Sequence, residues 1–518
     1  MNRTRFAALS GSFALMAFAQ SPAAAPPAVP VLHAEARVVQ IDVVVTDSQG
    51  KPVGDLTKQD FTITDEGKPR AIDIFTVNRG EPVPRAKPTS SAVSSLAPNV
   101  FSNRNAGPPD LPGHSTVIVL DQDSYNPAPG QRNTFEDAAY AQQQTIELMS
   151  KVKPDEQIAL YVMARKEGLV VLQDYTKNRD LLLKSLRSYI PLAMSTPAET
   201  HPDKPTSIPG SKRRDPNEVP QRETESLRVE ETREVRLSFQ ALAEHLALVP
   251  GRKNVFWVTE GFKPFRLQGM EKFAWDKTIT ALNEANVAVN AVDSVALTPQ
   301  AGGRPPNALE EIAGRTGGQA WLIRNDLSQA MAEGIEASRT TYTLGFYLNN
   351  DERDDKFHTL KVQADRRGLE LYYRQGYYAG NVELPESSRD KGELESALLN
   401  QIDSAGVGIT ARIEATGSAV KIHLNLDPAT LSLKEQGTGW TGKVEETFVE
   451  QDVTGNTLTK VSDTKEFGVT AANRARYDSE GVAWPISMPL AQGATRVRIV
   501  VRDSKTGHVG SLTIPLPQ

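Results

Sequence analysis

Residues 115–125 read STVIVLDQDSY, and the fold turns on this stretch. The run from 117 to 120 is apolar without alternation, which marks a strand buried on both faces, as inside a parallel sheet. It stops at Asp121, and Gln122, Asp123, Ser124 and Tyr125 follow as an oxygen-rich loop. Downstream, Phe135, Ala138, Ala139, Gln142, Ile146 and Met149 recur at three- and four-residue spacing until Pro154. That period predicts a helix packed on the strand.

The same rhythm continues outward. Residues 158–163 (IALYVM), 169–173, 254–259 (NVFWVT), 287–292 (VAVNAV) and 320–323 read as strands. Residues 180–190, 224–248, 272–284, 307–315 and 327–338 read as helices between or after them. In the second of these helices, Leu227, Val235, Phe239, Leu242 and Leu246 share one face. Such alternation predicts βαβ units and a mostly parallel sheet. Residues 191–222 are polar and proline-rich, without period, and read as an exposed insertion.

The flanks differ. Residues 38–46 (VVQIDVVVT), 61–64 and 72–77 are strand-like and separated by turn residues, which predicts a small β module. After residue 340, the stretches 342–347, 359–364 and 370–373 are again strands. Short strands such as 420–426, 440–449, 496–501 and 511–516 have the spacing of a β-sandwich. The expected division is a leader at 1–19, a linker at 20–35, a β module at 36–80 and a linker at 81–113. An α/β domain at 114–380, a connector at 381–404 and a β-sandwich at 405–518 complete it. The expected fold class is thus α/β, a doubly wound, mostly parallel sheet between an N-terminal β module and a C-terminal β-sandwich.

The 518 residues are 39% hydrophobic and 24% charged, enough apolar material for several cores. The net charge of −6 and the absence of a long basic tract argue against nucleic acid or an anionic membrane as partner. There is no cysteine, so disulfides, thiolate metal sites and cysteine nucleophiles are excluded. Arg3 and Arg5 precede an apolar run at 6–18, and Ala17 and Ala19 supply small residues for cleavage. This is the pattern of a secretory signal peptide, cleaved after Ala19. It implies a periplasmic or secreted protein whose mature chain has no membrane span.

Ligands of open α/β sheets sit beyond the carboxyl ends of the strands. Asp121 and Asp123 follow the first such strand, and Thr259, Glu260 and Gly261 end the strand NVFWVT. If those strands are neighbours, Asp121, Asp123 and Glu260 converge. Three carboxylates together call for a hard, oxygen-seeking cation, Mg2+ or Ca2+. The alternative is that these residues cap the following helices and line a solvated rim.

The order of elements and this acidic loop resemble a von Willebrand factor A domain. Its adhesion-site pattern is Asp-x-Ser-x-Ser with a distant Thr and a distant Asp. Asp121 matches the first Asp; Asp123 and Tyr125 stand where the two Ser belong, and Glu260 stands where the distant Asp belongs. Ser195, Thr196 and Thr200 are candidates for the distant Thr. Residues 38–75, Gly251-Arg252-Lys253-Asn254, 309–318 (LEEIAGRTGG), 342–347 (YTLGFY) and 373–378 (YRQGYY) further resemble bacterial, Acidobacteria-type VWFA-related domain proteins. The resemblance covers about 37–380. It implies an exported A-type fold with a degenerate metal site and no established reaction.

Enzyme motifs are missing. The seven His residues form no His-Glu-x-x-His, no Gly-x-Ser-x-Gly elbow is present, and Gly314-Arg315-Thr316-Gly317-Gly318 lacks the lysine of a phosphate loop. The carboxylates after the first strand would repel a dinucleotide pyrophosphate. The tyrosines at 372, 373, 377 and 378 read as core and rim of a strand end, with a recognition surface as the alternative. The function that the resemblance implies is binding of a protein or surface ligand, with or without the help of a divalent cation, and not catalysis. The alternatives are an envelope scaffold with an inert site and, more remotely, a metal-dependent hydrolase.

Overall fold

The computed structural model describes residues 37–80, 99–104, 114–122, 135–164, 168–190, 221–259, 262, 270–294, 308–322, 324–349, 352–380, 391–416 and 418–516. The leader, residues 191–220 of the expected insertion with Ser195, Thr196 and Thr200, and Asp123, Tyr125 and Glu260 lie outside them, while residues 221 and 222 of that expected insertion already belong to a helix.

The described residues begin with β1 (Arg37–Asp47), β2 (Phe61–Asp65), β3 (Lys68–Arg70), β4 (Ile74–Asn78) and β5 (Val100–Ser102). Then come β6 (His114–Asp121), α1 (Phe135–Lys151), β7 (Ile158–Ala164), β8 (Gly168–Thr176), α2 (Arg179–Ser188) and α3 (Gln221–Leu246). They are followed by β9 (Arg252–Thr259), α4 (Met270–Glu284), β10 (Val287–Asp293), α5 (Ala308–Thr316), β11 (Ala320–Trp321) and α6 (Leu327–Ser338). Strands β12 (Thr341–Leu348), β13 (Phe357–Ala364), β14 (Leu369–Tyr372) and β15 (Gly376–Tyr378) lead to α7 (Lys391–Leu399). The chain ends with β16 (Ile409–Thr416), β17 (Ala419–Leu426), β18 (Lys434–Gln436), β19 (Gly439–Gln451), β20 (Thr457–Thr470), α8 (Arg474–Glu480), β21 (Val482–Pro489), β22 (Arg496–Asp503) and β23 (Val509–Pro515).

The protein is mixed α/β, with one mostly parallel sheet among several antiparallel ones. That sheet has the order β11-β10-β9-β6-β7-β8. Its ladders are parallel except for β8, which runs antiparallel to β7 at one edge. Successive residues of β6 enter two different cores. Val117 and Val119 join Phe239 and Leu242 of α3, Ile279 of α4 and Ile312 of α5. Ile118 and Leu120 join Leu148 of α1, Leu186 of α2 and Met331 of α6. With apolar cover on both faces, every residue of β6, β7, β9 and β10 is buried, which is why these strands carry no polar alternation.

The glycines after α5 are a helix stop. Gly317 adopts φ +81°, and the Gly317 and Gly318 amides donate to the carbonyls of Gly314 (3.4 Å) and Ala313 (2.8 Å). This is the Schellman arrangement. A side chain at Gly318 would put Cβ 2.0 Å from the Val289 carbonyl oxygen, so α5 can return onto β10 only with glycine there.

Two boundaries differ from expectation. Residues 341–378, expected within the α/β domain, form strands that pair with β1, β2 and β4. The sheets are β14-β1-β12-β4 and β15-β13-β2-β3, around one core that includes Ile41, Ile63, Tyr342 and Val362. The small β module thus draws both halves from distant sequence, because residues 37–78 alone offer too little apolar surface to close a core. Within the expected linker 81–113, β5 pairs with β16. Asn103 ties it further: its side-chain amide donates to the carbonyls of Ser404 (2.6 Å) and Val407 (2.8 Å), and its oxygen accepts from the Ile409 amide (2.7 Å). In the last stretch, sheets β21-β17-β16-β5 and β18-β19-β22-β23 share a core that includes Ile422, Leu424, Phe448 and Ile499.

Candidate functional site

The strand order reverses between β6 and β9. From β6 the chain moves outward through β7 and β8, then returns to β9 on the other side and continues through β10 and β11. A crevice beyond the carboxyl ends of strands at such a reversal is where open α/β sheets hold ligands. The strands ending at Asp121 and Thr259 are neighbours there, with Leu120 in register with Val258. In turn, Thr259 is in register with Asp293 at the end of β10.

The rim is therefore built from the last residues of three adjacent parallel strands: Asp121, Thr259 and Asp293, with Ser294 one residue on. Their exposures are 1%, 0%, 4% and 1%. A carboxylate this deeply buried is costly unless donors meet it. For Asp121 one donor is the indole N–H of Trp257, 3.0 Å from Oδ2. Trp257 is itself fixed edge-on against Phe239 (centroids 5.0 Å, 87°) and against Phe262 (5.6 Å). The core thus positions the rim acid. Ser294 locks the end of β10 to the end of β9: its amide (2.8 Å) and its hydroxyl (3.0 Å) both donate to the Thr259 carbonyl. Gln122 donates its amide to the Met163 carbonyl (3.0 Å) and accepts from the Tyr189 hydroxyl (2.9 Å).

Of the three expected metal positions, the described residues contain Asp121 alone. Among them no group of three His, Cys, Asp or Glu side chains converges as a metal site. Asp293 lies two strands from Asp121, about 10 Å away at the backbone given the usual strand spacing of about 4.8 Å. The described residues therefore do not by themselves make a cation site. Sequence reasoning missed Asp293 and Ser294. The signal was present, since VAVNAVDS ends a buried strand on an acid just as STVIVLD does.

The opposite end of the sheet is also charged, but its groups are spent inside the protein. Arg252, 4% exposed at the start of β9, donates to the Gly317 carbonyl (2.6 Å), the Asp42 carbonyl (3.3 Å) and Asn254 Oδ1 (3.1 Å). The Lys253 ammonium donates to the Val249 carbonyl at 2.8 Å. Burial pushes Lys253 down to about 7, against the opposing pull of Asp42. Asp42 in turn accepts from Thr343 (2.6 Å) and Asn286 (2.7 Å). A cavity of about 350 Å3 lies here, lined by Asp42, Arg252, Asn286, Arg374 and Tyr378 among others. The tyrosines nearby are also engaged. Tyr377 donates to Asp65 (3.0 Å), and Tyr372 donates to Glu370 (2.6 Å) and accepts from Gln319 (3.0 Å).

No protein-family model and no curated protein matches the chain. Solved structures do show likenesses. One is the proximal thread matrix protein 1 of the mussel byssus, at 14% identity over 44% of this chain, with a TM-score of 0.24. The chain spans about half of that protein's length, 48%. Another is an aerotolerance-related membrane protein from Bacteroides fragilis, at 14% identity over 43% of this chain and 98% of that one, TM-score 0.25. A third is a von Willebrand factor type A protein from Catenulispora acidiphila, at 8% identity over 77% of this chain and 74% of that one, TM-score 0.23. The architecture described above rests on strand order, register and packing, and not on these likenesses. Among the described residues no helix is long and apolar enough to cross a membrane.

Proposed function

We propose that the protein is an exported binding protein of von Willebrand factor A type, whose doubly wound parallel sheet presents its carboxyl-end rim to a protein or surface ligand. The observation that carries this is the alignment of Asp121, Thr259 and Asp293 on three neighbouring strands across the reversal of strand order. Two buried carboxylates there favour a ligand that brings hydrogen-bond donors or positive charge, such as a lysine or arginine side chain of a partner. Binding is favoured over catalysis by the sequence, which carries no His-Glu-x-x-His, Gly-x-Ser-x-Gly or phosphate-loop motif. The export part of the proposal rests on the basic and apolar pattern of residues 1–19.

A divalent cation would enter only if Asp123 and Glu260 join Asp121, and Mg2+ or Ca2+ would suit such an oxygen set. Calorimetric titration with Mg2+, Ca2+ and Mn2+ decides this arm. Heat in the native protein that disappears in Asp121→Asn supports a cation at the rim, and no heat at millimolar metal removes it. The binding role is tested by affinity capture from cells and medium, using native protein and the double variant Asp121→Asn, Asp293→Asn. A partner held by the first and lost by the second supports the rim. Equal capture by both assigns binding to the β sheets and leaves the rim inert, as a scaffold would have it.

A further inference from the structure

We infer that β20 is the contact through which two copies of this chain join, edge to edge, in one continuous antiparallel sheet. Strand β20 has 14 residues, TLTKVSDTKEFGVT, and pairs only with β19 among the described strands. The far side of β19 takes β18 and β22, so the outer edge of β20 faces no other described strand. Most of its residues are exposed on both faces, including Leu458 at 40% and Val461 at 37%. An uncovered strand edge is a row of unpaired amide donors and carbonyl acceptors, ready to template another strand.

Two other edges of the last two sheets are blunted. Edge strand β21 carries Pro485 and Pro489, which have no N–H to offer. Strand β23 is covered by 405–407, through the bridge between Ala405 and Gly510 and the bond from the Val407 amide to the Val509 carbonyl. Strand β20 has no proline, and among the described residues no segment pairs with its outer edge.

Charge selects the partner as a second copy and sets the register. Pairing β20 with itself about a two-fold axis at Thr464 opposes Asp463 to Lys465 twice, and Val461 to Phe467 twice. Residues 463 and 465 lie on one face, where Lys465 already meets Asp463 at 2.5 Å within the strand. The four charges of the pair would alternate in sign. Centring the axis one residue earlier opposes Asp463 to itself, and one residue later opposes Lys465 to itself. Like charges directly opposite destabilise a ladder. The Thr464 register also aligns the whole of 458–470.

The absence of cysteine in the chain supplies a clean test. At a two-fold axis on residue 464, the two Cα atoms would lie about 4.5–5.5 Å apart, inside the range a disulfide spans. Full-length Thr464→Cys is expected to give a covalently cross-linked dimer on mild oxidation, whereas Lys460→Cys, which would face Gly468, is expected to form no cross-link. Sedimentation of the unoxidised protein is expected to show twice the chain mass. Asp463→Lys alone and Lys465→Asp alone are each expected to sediment as monomers, and their equimolar mixture as a heterodimer, since every cross-strand pair is then opposite in charge. The mixture also shows that both variants still fold their edge. A monomeric native protein, equal cross-linking at 460 and 464, or dimers unaffected by either charge change would overturn the inference.

Discussion

The two ends of strand β9 make an instructive pair. It begins with Arg252 and Lys253 and ends with Thr259, and all of its residues are buried. At the amino end, buried charge is consumed by fixed backbone acceptors: the carbonyls of Gly317, Asp42 and Val249. It serves to join the α/β sheet to β1. At the carboxyl end, the buried polar groups of Asp121, Thr259 and Asp293 sit side by side at the reversal of strand order. Burial alone therefore does not separate a structural charge from a binding one. What separates them is where on the sheet the group stands, since ligands of open α/β sheets sit beyond the carboxyl ends of the strands.

The contrast can be broken at several points. The largest effect is expected at Lys253. Its folded pKa is lowered to about 7, so its contribution to stability is full above the unfolded value near 10.5 and is lost as pH falls towards 7. At about 1.4 kcal/mol per pKa unit, this amounts to a few kcal/mol across that window. Urea unfolding at a series of pH values is expected to show native stability rising relative to Lys253→Met between pH 7 and 10.5. Parallel curves would mean that Lys253 does not titrate as a buried group. Next comes Arg252→Ala, which strips the Gly317 and Asp42 carbonyls of a donor and leaves a void; a loss of about 3 kcal/mol is expected from the same assay. Trp257→Phe removes the indole donor from Asp121 while keeping an aromatic ring, and is expected to cost about 1–2 kcal/mol. The smallest change in stability, within about 1 kcal/mol, is expected for Asp121→Asn, whose amide oxygen can still accept from Trp257. That variant is nevertheless the one expected to lose ligand capture, whereas Arg252→Lys should retain it.

Much of the central sheet was legible because continuous apolar runs have one cause, cover on both faces. Asp121 was legible for the same reason, as the first charge after such a run. Partners were harder to read. Alternation identifies 342–347 and 359–364 as strands, but it does not say that they pair with β1 and β2 some 300 residues earlier in the chain. Strand β5 has only three residues, too short for any period to register. Strand β20 is exposed on both faces over most of its length, with Phe467 and Val469 alone turned to apolar neighbours, so it has too short an apolar stripe to find. The role of Trp257 was half visible: its burial follows from NVFWVT, while its bond to Asp121 depends on Val119 lying in register with Trp257.

The claim that the carboxyl-end rim is the binding face is tested most directly by site-specific photo-cross-linking in the producing cells. A photoreactive residue replaces Gln122, half-buried at the rim, and in a second protein replaces Glu284, exposed at the amino end beside the cavity. The account predicts a discrete adduct with another protein or surface molecule from position 122 and none from position 284. An adduct from 284 with none from 122 would contradict it.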